Sequence, residues 1–216
     1  MKLLEISKRY NELATSDGCP SFEDALNYKE AKPNEVCVEI GSGQGTDAIR
    51  LAESVGKGGF VYGIDISGGI TEKKVKTDES FGVTNIDFIK CQPDKIELGD
   101  DFADLVISNC KINQAPDKQS VWNEIYRILK KGGRFVISDI YSVSSFPGDY
   151  KNERLSVAEF LADSITRDEY LNQLETAGFS TITILDESIP YLKGGAMVAN
   201  WTIAGEKPLV ECGWCD

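Results

Sequence analysis

Gly41, Gly43 and Gly45 stand at alternate positions after the apolar run Val36-Cys37-Val38-Glu39-Ile40, and a second run, Val61-Tyr62-Gly63-Ile64, closes on Asp65. Glycine lets a backbone turn sharply and approach a ligand, and a carboxylate accepts two hydroxyl hydrogen bonds at once. A glycine loop followed about twenty residues later by an acid is the spacing at which a strand-helix-strand unit grips a ribose. The glycines alone would equally serve an ordinary turn. Glu39 before the loop and Asp65 after the next run favour a ligand site, because both fall at carboxyl ends of adjacent strands, where α/β folds bind ligands. Thr46 occupies the position of the third glycine of a dinucleotide fingerprint, which argues against NAD or FAD.

The remaining chemistry must come from other side chains. The chain has no histidine, the usual general base near neutral pH, so catalysis depends on a carboxylate, a tyrosine, a thiol or an activated cofactor. Of six cysteines, Cys110 ends the fourth apolar run, beside the expected cofactor, and is the candidate catalytic thiol. Cys37 and Cys91 read as small buried residues. Cys212-Gly213-Trp214-Cys215 can chelate a soft ion or form a reversible disulfide, or it is simply a flexible tail. Two thiolates do not close a site, so a third ligand such as Cys19 or Cys110 is needed. A soft acceptor held by Cys19, Cys110, Cys212 and Cys215 needs no strong base, whereas an oxygen nucleophile would want Asp139 or Tyr141 to take its proton. No resident metal is expected.

These residues require a frame. Leu3, Leu4, Ile6 and Tyr10 suggest a first helix, and 14–34, with Gly18, Pro20 and Pro33, reads as a loop-rich lead-in. Strands are predicted at Glu35 to Ile40, Phe60 to Ile64, Ile86 to Ile89, Ala103 to Ile107 and Arg134 to Asp139. Ala48, Leu51, Ala52 and Val55 make one face of a helix ending before Gly56, and Glu72 to Thr77 a weaker one. Pro116 is expected at the first position of a helix with Asp117 in its first turn, ended by Gly132. A capping box, Thr166-x-x-Glu169, starts another that leaves at Gly178. Ser180 to Leu185 and Met197 to Ala204 should pair antiparallel at the sheet edge. The sum is an α/β, Rossmann-like, mostly parallel seven-stranded sheet with helices on both faces and an antiparallel C-terminal strand pair.

Glu-x-Gly-x-Gly-x-Gly, with the later acid in Gly-Ile-Asp-Ile-Ser, resembles the first two motifs of class I S-adenosylmethionine-dependent methyltransferases. The resemblance implies that Glu39, Gly41, Ser42, Gly43 and Gly45 hold the methionyl end, that Asp65 holds the ribose and that Ile66 packs on adenine. Cys91-Gln92-Pro93-Asp94 takes the place where the superfamily contacts adenine, which adds Gln92 and Pro93, with Asp94 a substitute for the missing acid. Asn109-Cys110 and Ser138-Asp139-Ile140-Tyr141 are similar to the arsenite methyltransferase branch, which places Asn109 at the cofactor and Cys110 at the acceptor. The likeness runs from Glu35 to Ser142. Ala158-Glu159-Phe160 departs from that branch's Gly-Glu-Cys segment, and its cysteine-paired insert is reduced here to Cys19.

The expected function is therefore methyl transfer from S-adenosylmethionine to a small molecule, with arsenite or a thiol as the soft acceptor. Two alternatives stay open: a quinone-like apolar acceptor lined by Phe146, Tyr150 and Phe160, and a cofactor-binding metal sensor without turnover. A formal net charge of −12 repels phosphate backbones and excludes nucleic acid as the expected partner. The first residues lack a signal pattern and no apolar stretch spans a bilayer, so a cytoplasmic monomer or homodimer is expected. The expected organisation is an N-terminal helix and lead-in cap at 1–34, the catalytic domain at 35–205 and a cysteine-containing tail at 206–216.

Overall fold

The computed structural model describes residues 31–43, 45–66, 83–109, 111–144, 164–193 and 196–210. Five parallel strands come first: β1 (Val36–Ile40), β2 (Phe60–Asp65), β3 (Ile86–Lys90), β4 (Ala103–Asn109) and β5 (Leu129–Ser142). Helix α1 (Thr46–Val55) links β1 to β2. A 3-10 turn (Ile112–Gln114) and α2 (Lys118–Ile128) lead into β5, and α3 (Arg167–Ala177) precedes β6 (Ser180–Glu187), β7 (Tyr191–Lys193) and β8 (Ala196–Glu206). The sheet order is β3-β2-β1-β4-β5-β8-β6, with β7 paired to β8.

Side chains alternate across this sheet and build a core on each face. Cys37 joins the layer under α1 with Leu51, Val55 and Val61, whereas Val38 and Ile40 join the layer under α2 and α3 with Trp122, Ile125 and Leu174. In the second layer Trp122 meets Phe135 and Tyr170 at centroid distances of 5.3 and 5.5 Å, arrangements that favour aromatic pairs beyond their buried area. Truncating Trp122, which is fully buried, would cost about 3–5 kcal/mol through lost transfer energy and the cavity left behind.

The helix signals act as expected at two sites. Gly56 follows α1, and the Thr166–Glu169 capping box opens α3, which leaves through Gly178 at φ 100°. Around α2 the expectation fails. Asp117 is the N-cap, accepting from the Ser120 N–H at 3.0 Å, so Pro116 lies before the helix and not at its first position. The helix ends at Ile128, because Leu129 is already extended; Gly132, at φ 76°, instead kinks the start of β5. That strand consequently runs well beyond the predicted Arg134 to Asp139.

β6 and β8 pair antiparallel at the edge of the sheet, as expected, with β6 the outer strand of the pair and β8 inside, between β5 and β6. Its buried run Val198, Ala199, Trp201, Thr202 and Ile203 is that of a strand covered on both faces. β7 adds an eighth strand to the predicted seven. The predicted helices at Leu3 to Tyr10 and Glu72 to Thr77 lie outside the described residues.

Two contacts tie the strands at opposite ends. Arg134 grips Glu35 at 2.8 and 2.9 Å, joining the amino end of β1 to β5, and at the carboxyl end Ser108 Oγ donates to the Ile40 carbonyl at 3.0 Å. Register then pairs Ile40 with Ile64 on one side and Ser108 on the other.

Candidate active site

With that register, the residue after Ile40 is flanked by the residues after its partners. Gly41 sits between Asp65 and Asn109, which at strand spacing lie about 10 Å apart across the carboxyl edge of the sheet. The loop is locked to β2: the N–H groups of Gly41 and Ser42 both donate to the Ile64 carbonyl, at 2.7 and 2.9 Å, and the Gly43 N–H donates to Asp65 Oδ2 at 2.8 Å.

Gly41, Gly43 and Gly45 all have positive φ, of 78°, 49° and 82°. Gly45 is glycine for a second reason, since a Cβ there would lie 2.8 Å from Phe88 Cζ. The same ring lies 2.5 Å from where a Cβ on Gly63 would be, so Phe88 fills the space left by two bare backbones. Gly45 also caps α1 without a side chain.

The carboxyl edge opens into a cleft. Five of the expected cofactor residues line it: Gly41, Asp65, Ile66, Gln92 and Pro93. Ile66 is 61% exposed, an apolar surface available at the cleft for a flat ring. Glu39, Ser42, Gly43, Gly45 and Asn109 stand around it without lining it. Ser42 Oγ and Asn109 Oδ1 are buried with no hydrogen-bond partner among the described residues, and Glu39 is 4% exposed. Asp94 is exposed and follows the lining pair Gln92 and Pro93 without itself lining the cleft.

Sequence reasoning missed several lining residues: Ile40 and Ile64 at strand ends, Cys91, Lys111, Ala115 and Pro116. The strand-end rule could have found the first three. Lys111 carried a signal too, as the residue directly after Asn109-Cys110. Cys37 and Cys91 are free and buried, and burial pushes both thiols up, Cys37 to about 12. Cys91 therefore presents the cleft with a protonated, apolar thiol. Cys19, Cys110, Cys212 and Cys215, like Phe146, Tyr150 and Phe160, lie outside the described residues.

Neither expected base lines the cleft. Asp139 is 1% exposed and its oxygens accept from the N–H groups of Asn113, at 3.0 Å, and Ile140, at 2.8 Å, and from the Tyr170 hydroxyl at 3.5 Å. Burial pushes its carboxyl up to about 6, against the pull of those hydrogen bonds and of the Lys118 charge. The Tyr141 hydroxyl donates to Glu187 at 2.8 Å; burial and that carboxylate push it up to about 12. A cleft with apolar walls, one acid and one lysine suits alignment of a bound molecule better than proton transfer.

No helix among the described residues is long and apolar enough to cross a membrane. The profile of a methyltransferase domain family matches residues 31–178. An arsenite methyltransferase of Halobacterium salinarum is 31% identical over 82% of this chain and 47% of its own length. One from Mus musculus is 34% identical over 74% of this chain and 42% of its own length. The chain thus spans less than half of these relatives. Among solved structures, an arsenic(III) S-adenosylmethionine methyltransferase from Chlamydomonas reinhardtii superposes with a TM-score of 0.75 at 25% identity, covering 88% of this chain and 74% of that one.

Proposed function

The chain belongs to the methyltransferase domain family, and from that premise we propose that it transfers a methyl group from S-adenosylmethionine to a small molecule, with arsenite or a thiol as the acceptor. The observation that carries the cofactor reading is the glycine loop clasped to Asp65 through the Gly43 N–H. The residues present fit the group: three left-handed glycines shape the loop and Gly43 leaves its face uncovered by any side chain, two buried polar atoms at Ser42 and Asn109 lack partners among the described residues, and an acid stands one strand away.

When bound, the cofactor supplies a methyl group already activated on a sulfonium. Asp65 accepts the ribose hydroxyls while keeping the loop in place. Ile66, Gln92 and Pro93 bracket the adenine. Glu39, Gly41, Ser42, Gly43, Gly45 and Asn109 hold the methionyl end. The chain's part in the reaction is then to align the acceptor with the methyl and keep water out. Cys110, next in sequence to Asn109, is the thiol proposed to hold the acceptor, with Cys19, Cys212 and Cys215 as its candidate partners. A soft acceptor matches a cleft in which the described acids are otherwise engaged. The net charge of −12 supports a small molecule over nucleic acid, and reduced thiols of this kind belong to the cytoplasm.

Calorimetry with S-adenosylmethionine, followed by methyl-transfer assays over arsenite, thiols and quinones, tests this. Binding with transfer to arsenite or a thiol, lost in Cys110→Ser, is the expected result. Transfer confined to quinones, or binding without any transfer, overturns the acceptor assignment, and failure to bind overturns the whole reading.

A further inference from the structure

We propose that Lys111 recognises the carboxylate of the cofactor's methionyl end, an inference that rests on the cofactor reading above. Lys111 lies directly against the loop: a Cβ on Gly41 would fall 2.1 Å from Lys111 Cγ and 2.8 Å from its Cδ. The aliphatic stem therefore covers the bare face of the first glycine, and the side chain lines the cleft that also holds Asp65. Glycine at 41 is what allows that approach.

The ammonium of Lys111 makes no ion pair or hydrogen bond among the described residues. Elsewhere lysines at half-buried or buried positions are engaged, Lys130 with Asp104 at 2.8 Å and Lys207 with Asp101 at 2.7 Å. In a chain with 35 acids against 23 basic residues, a half-buried lysine lining a cleft without a carboxylate partner calls for an anion from outside.

Among the described residues lining the cleft, Lys111 and Asp65 are the ones with charged side chains. Asp65 is committed to the Gly43 N–H and, in the cofactor reading, to the ribose. The positive end therefore belongs to the part of the ligand that reaches Gly41. In a molecule with a nucleoside at one end and an amino acid at the other, the one anionic group is the carboxylate of that amino acid. A lysine paired with it also spares the sulfonium an uncompensated neighbouring cation.

Calorimetry on Lys111→Met and Lys111→Arg tests this, with S-adenosylmethionine, S-adenosylhomocysteine, decarboxylated S-adenosylmethionine and 5′-methylthioadenosine as probes. Lys111→Met should weaken the two carboxylate-bearing ligands about tenfold or more, as expected for a charged hydrogen bond. The decarboxylated cofactor and the thioether nucleoside should bind unchanged or tighter, and Lys111→Arg should retain most of the affinity. Equal weakening of all four ligands would assign Lys111 only to covering Gly41, and no weakening would remove it from recognition; either overturns the proposal. If the unsubstituted protein binds none of the four, the cofactor reading itself fails, which is a separate result.

Discussion

Asp139 on β5 holds the 3-10 turn that follows Asn109 and Lys111: its Oδ2 accepts the backbone N–H of Asn113 at 3.0 Å, and the Asn113 amide in turn donates to the Ile140 carbonyl. The acid is almost wholly excluded from water, with Tyr170 and the charge of Lys118 as its other polar surroundings. The loop at the cleft is thus anchored from behind by a buried carboxyl.

That arrangement predicts a pH signature. Asp139 loses its proton near 6 when folded and near 3.8 when unfolded, so between these values the folded state holds the extra proton. Its contribution to stability is present below about pH 4 and is lost as pH rises through 6, by about 3 kcal/mol in all. Asp139→Asn cannot ionise. The difference in urea unfolding free energy between wild type and Asp139→Asn should slope across that window and level off above it; parallel profiles would reject a buried, titrating Asp139.

Glu35 works in the opposite direction. Burial raises its carboxyl, but the paired bonds from Arg134 and the Lys32 backbone N–H outweigh this and hold it below the ordinary value. Its stabilisation is present above about pH 4.5 and disappears as pH falls through the depressed value. Glu35→Gln should cost about 1–2 kcal/mol at neutral pH and little in acid, measured by denaturant unfolding.

The glycine loop separates strain from collision. Gly43→Ala makes only an ordinary contact, 3.8 Å from the Gly41 carbonyl oxygen, and pays for φ 49°, about 1 kcal/mol, whereas Gly45→Ala adds a Cβ 2.8 Å from Phe88 and should lose about 2–3 kcal/mol. Adding Phe88→Ala should partly rescue Gly45→Ala in its effect on loop geometry, read as cofactor affinity. Equal effects at 43 and 45 would show that the ring yields freely.

Asp65→Ala should weaken S-adenosylmethionine binding by about 1–3 kcal/mol, through loss of the ribose acceptor and release of the Gly43 N–H. Asp65→Asn keeps an oxygen for Gly43 and should fall between wild type and Asp65→Ala in a titration. Unchanged affinity in Asp65→Ala would remove it from the cofactor site.

Tyr141→Phe is the control. Its hydroxyl is tied to Glu187 and its pKa is high, so methyl transfer should stay within about twofold of wild type at neutral pH. A large loss would restore tyrosine as a proton acceptor.

Much of the glycine loop and the carboxyl edge beside it was legible in one dimension, because its determinants are local. Positive φ at Gly41, Gly43 and Gly45 requires glycine wherever the loop folds, and the acid that ends a strand reaches the carboxyl edge by strand geometry alone. The Thr166–Glu169 capping box was legible for the same reason: its partners are three residues apart. The α2 boundaries were not. Pro116 and Gly132 are generic start and stop signals, and here Asp117 bonding to Ser120 and the early extension at Leu129 decided the ends.

The chain itself determined a parallel sheet with a glycine loop and an acid at its carboxyl edge, since period, propensity and spacing act over a few residues. Tertiary structure alone decided that Asp139 is sealed behind the loop, that β8 enters the sheet beside β5, and that the stem of Lys111 lies on Gly41. Each of those joins residues far apart in sequence, and burial and partner choice there depend on which surfaces the folded sheet brings together.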